Sequence, residues 1–268
     1  MGFMTGLKAN KAVKAQRDGN TEEALRLYAE AVSEGLNVPR YILSYAVLLL
    51  RNGQYEACKD LLVKHQKDPG MTGENRTQLI VDYAVCCHKL GDTKKAVSKL
   101  EEMHRHGPSG TIYQTLGYLY ADLYDMKNAP ADEASADEAV PAATDAENGS
   151  DEVKSPAALF REGMEKALAF NREAVEYDDE DSICLDNLGQ VWYRVFGDKE
   201  KAKEYFDKAI SFRPGQIDTL WFLSRYDLEA GNTEAAAEKL ALAAEGRFSP
   251  LNYVTKETVD AEIARLKA

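Results

Sequence analysis

The sequence has no surplus of positive charge, no long apolar run and few cysteines, and each shortage excludes a class of protein. Lys and Arg number 33 against 45 Asp and Glu, a formal net charge of -12. The basic stripe that meets phosphates is therefore missing, and neither nucleic acid nor an anionic membrane surface is an expected partner. The most apolar stretch, Tyr41 to Leu50, is about half of the ~20 residues that a membrane-spanning helix needs. Met1 to Gly6 is neither basic nor followed by an apolar core, so no secretory signal is expected and the expected location is cytoplasmic. The four cysteines, Cys58, Cys86, Cys87 and Cys184, show no CxxC spacing and read as reduced thiols at small buried positions.

Catalytic signatures are missing as well. No Gly-rich phosphate loop follows a strand pattern, and no serine sits at a strand-to-helix elbow. His104 and His106 are separated by one residue and so point to different sides of a helix, with no Cys or acidic partner at metal-ligand spacing. Neither an enzymatic activity, a cofactor nor a metal is expected. Asn148-Gly149-Ser150 matches a glycosylation sequon, but without a secretion signal it reads as loop.

What the sequence does contain is a repeat. Its clearest copy runs Leu185-x-x-Leu188-Gly189-x-x-Trp192, then Ala202-x-x-x-Phe206, Ala209 and Pro214. Small residues at helical spacing let two antiparallel helices approach closely, and large ones fill the wedge to the next pair. The same phase recurs along the chain. Gly19-Asn20, Asn52-Gly53, Gly91-Asp92 and Gly231-Asn232 mark turns. After them come Ala24, Tyr28 and Ala31; Cys58 and Leu62; Ala96, Leu100 and Met103; and Ala236, Leu240 and Ala243. Cys58 follows Ala24 by one repeat length of about 34 residues. The first helix, Leu7 to Arg17, is mostly polar, as an end with nothing packed on it requires.

The fourth copy is interrupted. Tyr113-x-x-Leu116-Gly117-x-x-Tyr120 is a clean first helix, but residues 125–156 are rich in Ala, Asp, Glu and Pro with almost no large apolar side chain. Such a segment cannot bury enough surface to offset its ordering entropy, and a disordered acidic insertion is expected there. The helix is expected to resume near Pro156, with Ala167, Asn171 and Ala174 in the repeating places. A last helix from about Thr255 carries Val259, Ile263 and Leu266 along one side.

These motifs resemble the tetratricopeptide repeat (TPR), and over nearly its whole length the chain resembles a bacterial TPR protein of about six repeats. The resemblance implies an all-α, right-handed superhelical solenoid of antiparallel helix pairs. Residues 1–124 would hold repeats one to three and the first helix of repeat four, and residues 125–156 the acidic insertion. Residues 157–250 would complete repeats four to six, and 251–268 would form a capping helix. It also implies a protein-protein interaction scaffold that binds a peptide segment or partner protein in a concave groove lined by the first helices.

Mapping the groove positions of such arrays onto this sequence selects Arg17, Arg40, Val47, Arg51, His88, Gln114, Tyr118, Gln190, Tyr193, Arg194, Trp221 and Arg225. Recurring arginines with aromatic side chains between them suit an extended acidic or carboxylate-ended peptide, held by guanidinium forks and aromatic packing. Against that, Arg17, Arg51 and Arg194 lie near helix C-termini, where a cation simply complements the dipole. Trp221 serves equally as an exposed anchor or as seam filling. Ala9, Val13 and Asp82 occupy the places where chaperone-binding relatives carry a Lys and Asn clamp, so that ligand is not carried over. A second reading is a peptide-sensing regulatory protein whose acidic loop mimics the ligand and modulates the groove.

Overall fold

The computed structural model describes residues 3–131 and 154–267. Among them there is no strand, and the helices follow the turn signals of the sequence. α1 (Phe3–Arg17) and α2 (Thr21–Ser33) form the first pair, α3 (Pro39–Arg51) and α4 (Tyr55–His65) the second, and α5 (Gly73–Lys89) and α6 (Thr93–His106) the third. α7 (Gly110–Leu123) is followed by a 3-10 turn, Met126–Asn128, and α8 (Pro156–Tyr177) resumes at the proline. α9 (Ser182–Gln190) runs on into a π-helical segment, Val191–Val195, before α10 (Lys199–Phe212). α11 (Ile217–Glu229) and α12 (Thr233–Ala244) make the last pair, and α13 (Lys256–Lys267) closes the chain.

Local chemistry explains the boundaries. Gly19, Gly53, Gly91 and Gly231 all have positive φ, between 69° and 88°, the left-handed geometry that a glycine adopts without strain. Capping side chains start the returning helices: Asn20 Oδ1 accepts from the Glu23 amide, and Asp92 Oδ1 from the Lys95 amide. Ser155 Oγ accepts from the Ala158 amide, with Pro156 in the first turn of α8.

The repeating small and large positions are the core. Ala24, Tyr28, Ala31, Cys58, Leu62, Ala96, Leu100, Ala167, Asn171, Ala174, Ala202, Phe206, Ala209, Ala236, Leu240 and Ala243 are all 0% exposed. Burying each large apolar member contributes roughly 1.5–3 kcal/mol. Gly189 shows why the Leu-Gly pair is there: a Cβ on it would stand 2.7 Å from the Phe206 ring. Phe206 in turn stacks on Phe222 at 4.9 Å and 5°. All four cysteines are buried and free.

The described chain divides into two compact units. Among the described residues, the first contains residues 3–119 and 247–253, the second residues 120–131, 154–246 and 254–267. In the first, one apolar cluster joins α1 to α5, with Leu251 packed against it. In the second, α13 lies on α12, with Val259 fully buried beneath it.

The expected acidic insertion needs correction at its first residues. Asp125 is 7% exposed, caps the 3-10 turn through the Lys127 amide and bonds to a buried arginine. It therefore belongs to folded structure. The stretch 132–153 lies outside the described residues, and with it most of the expected insertion and its modulating role.

Candidate binding surfaces

In the first unit, α3 carries Arg40, Ser44, Val47 and Arg51 at spacings of four, three and four, which is one face of a helix. Arg40 and Arg51 at its ends are exposed and Val47 between them is half-buried. Arg40 lies over the Tyr41 ring at 4.4 Å and donates to its hydroxyl, which bonds in turn to Asn10 Oδ1 at 2.6 Å. Arg51 is different. No carboxylate pairs with it among the described residues; the charge beside it is Arg247, at the start of the segment packed into this unit. Partial burial, then the Arg247 charge, hold the Arg51 guanidinium below its ordinary value. Arg247 is itself exposed. Arg17 is exposed at the end of α1.

The other positions selected in this unit are more enclosed. His88 is half-buried, with Nδ1 3.0 Å from Thr93 Oγ1 and its ring edge-on to Tyr118 at 5.9 Å. Tyr118 is only 6% exposed, and Gln114 is half-buried. His88 and Tyr118 pack rather than project.

The second unit departs from the sequence reading. The mapping turns Arg194 toward a ligand, yet its side chain is 2% exposed. Its Nε donates to Asp125 at 2.8 Å, one terminal nitrogen to Asp122 at 2.7 Å and the other to Gln190 at 2.8 Å. Gln190, 0% exposed, passes the chain on to Asp186 at 2.7 Å, which also accepts from Thr219 at 2.5 Å. Arg194 and Gln190 are therefore internal framework, and their place as ligand contacts is corrected. For Arg194 the phase is altered by the π-helical segment in which it lies, whereas Gln190 precedes that segment in regular helix. Phe196 N bonds to Val191 O at 3.2 Å, five residues back, so the helical phase after Gln190 departs from the regular 3.6 spacing.

Two carboxylates, Asp122 and Asp125, bond that one buried guanidinium, and Asp186 lies close enough to feel its charge. Burial, then the neighbouring Asp218, push the Asp186 carboxyl above its ordinary value. Tyr193 is half-buried against Phe222, with ring centroids 5.0 Å apart. Trp221 is half-buried beneath the Arg225 guanidinium at 4.1 Å, and Arg225 also donates to Glu262 at 2.7 Å. Glu262, bonded to Arg265 and to Arg225, is held down to about 2. Of the arginines on which the acidic-ligand reading rests, those of the second unit are neutralised within the chain. Those of the first unit have no carboxylate partner among the described residues.

Among the described residues, no group of three or more His, Cys, Asp or Glu is placed to hold a metal ion. No helix of the described residues is long and apolar enough to cross a membrane.

No protein-family model matches the sequence, and no curated protein matches it. Solved structures do match in fold. The thermophilic TPR protein TTC0263 of Thermus thermophilus superposes with a TM-score of 0.60 at 16% identity, over 86% of this chain and 99% of that one. MamA from Desulfovibrio magneticus RS-1, from residue 41 to its end, gives 0.52 at 21% identity, over 81% of this chain and 98% of that one. PilW, a type IV pilus biogenesis factor, gives 0.59 at 14% identity, over 97% and 99%. The chain has the all-α tetratricopeptide-repeat fold.

Proposed function

We propose that this protein is a non-catalytic interaction scaffold that binds an acidic or carboxylate-ended peptide segment of a partner, with Arg51 and Arg247 of the first unit as the anion clamp. The observation that carries this reading is the pairing of two like charges without a counter-ion. Arg51 and Arg247 interact through their positive charges, and no carboxylate of the described chain joins them. Arg194 and Arg225 each have a carboxylate within the chain, whereas the like charges of Arg51 and Arg247 repel, and an anion from outside would relieve that repulsion. A carboxylate between two guanidiniums accepts charge-assisted hydrogen bonds from both and relieves their repulsion. Exposed Arg17 and Arg40 and half-buried Val47 would extend the contact along the first helices. The repeat fold supports the class of function, since stacked helix pairs present extended surfaces suited to a chain segment.

The experiment is a selection from a displayed random-peptide library on wild-type protein and on the double variant Arg51→Gln with Arg247→Gln. Both positions are exposed, so the fold should be kept, which circular dichroism checks. Enrichment of Asp- and Glu-rich or C-terminal sequences by the wild type alone supports the reading. The same sequences enriched by both proteins would overturn the clamp, and neutral or basic sequences would overturn the ligand class.

A further inference from the structure

The connector after α4 is the longest between the described repeats, residues 66–72 against 107–109 after α6 and 213–216 after α10. It is also fixed in place. His65 Nδ1 lies 2.5 Å from Asp68, Gly70 turns with φ of 82°, and Met71 is only 2% exposed. This longer link precedes a cleft of about 420 Å³ lined by side chains of α4, α5 and α6. Ligand pockets of roughly 300–1,000 Å³ span this size.

The cleft is apolar inside and positive at its rim. Leu79 is buried in the wall, and Ile80 and Met103 are half-buried beside it. Val63, at the lip, is 47% exposed. Arg76, Lys99 and His106 line it with Glu102 as the one acid. Glu102 is taken up by Lys99 at 2.9 Å, and its carboxyl is lowered by that pair and, less, by His106 and Arg105. No carboxylate pairs with the exposed Arg76 among the described residues.

We infer that this cleft is a docking site separate from the arginine clamp, for a partner segment that inserts one large apolar side chain and sets a carboxylate beside it on Arg76. Charge complementarity identifies the occupant: the hollow takes an aliphatic or aromatic group, and an unpartnered guanidinium at its edge selects an acid over an amide or an amine. A purely apolar partner would leave Arg76 unused, and a basic one would meet the cations of the rim.

The test uses two small probes that differ only in charge, N-acetyl-phenylalanine and its C-terminal amide, titrated into the full chain with methyl-labelled Val, Leu, Ile and Met. The acid is expected to shift the methyl signals of Val63, Leu79, Ile80 and Met103 saturably. The amide should bind about fivefold more weakly, the scale of one partly exposed ion pair. Arg76→Glu should reverse that preference, while the Arg51→Gln, Arg247→Gln variant should leave it unchanged. Saturable shifts absent from these methyls would overturn the site. Equal binding of acid and amide, or an unchanged preference in Arg76→Glu, would overturn the assigned partner chemistry.

Discussion

Replacing Asp82 by asparagine should remove a pH dependence that this one carboxyl imposes on stability. Asp82 on α5 is 4% exposed; its Oδ1 accepts from Gln78 Nε2 at 2.8 Å, and its Oδ2 has no partner. Burial raises it from 3.8 to about 7, against a smaller opposing pull from Gln78. In the unfolded chain the group ionises near its ordinary value, whereas the folded chain keeps the proton to near neutrality. Between those values the folded state binds more protons, so stability falls as pH rises from about 4 to about 7. At about 1.36 kcal/mol per pH unit, the interval corresponds to at most ~4 kcal/mol. The asparagine amide stays neutral throughout and keeps an acceptor for Gln78. Urea unfolding of wild type and Asp82→Asn at pH 4, 5.5, 7 and 8 gives the comparison. The two should be similar at pH 4, with the variant increasingly more stable up to pH 7 and the gap constant above. Parallel stability curves across the whole range would refute the reasoning, because the carboxyl would then carry no raised value.

Three further outcomes are expected. Arg194→Met strands Asp122 and Asp125 around an uncharged side chain and should cost about 3–5 kcal/mol in urea unfolding at pH 7. Gly189→Ala places a methyl 2.7 Å from the fully buried Phe206 ring and should cost about 1–3 kcal/mol in the same assay. The four buried thiols should react with Ellman's reagent only after denaturation: Cys58 is pushed up by a hydrogen bond with the Cys86 thiol and by burial, and Cys184 chiefly by burial. A thiol titrating rapidly in the native protein would place that cysteine at the surface.

The architecture is readable from the sequence because it is local. Alanine, a large residue and alanine on one helix, with a glycine turn before it, place their message within one repeat, and the buried positions follow that pattern from Ala24 to Ala243. The site is less readable because charge partners are not local. Arg194 pairs with carboxylates 69 and 72 residues earlier, which no periodicity reports, and the π-helical segment alters the phase that the mapping assumes. Composition assigns Asp125 to the stretch around it, yet one acid in a polar run can be a buried partner. Arg247 lies outside the mapped groove positions altogether; it stands beside Arg51 only because its segment packs into the first unit. Trp221 is legible in sequence as either anchor or filling, and it is half-buried under Arg225.

In the proposed function Arg51 and Arg247 together hold an acidic segment. The most direct measurement is calorimetric titration of one selected acidic peptide against the wild type, each single Arg→Gln variant and the double variant, at low and high salt. The predicted result is a loss of tenfold or more in the double variant, about the scale of one charge-assisted bond, with coupling between the two positions and weaker binding at high salt. An affinity that stays the same in all four proteins would contradict it.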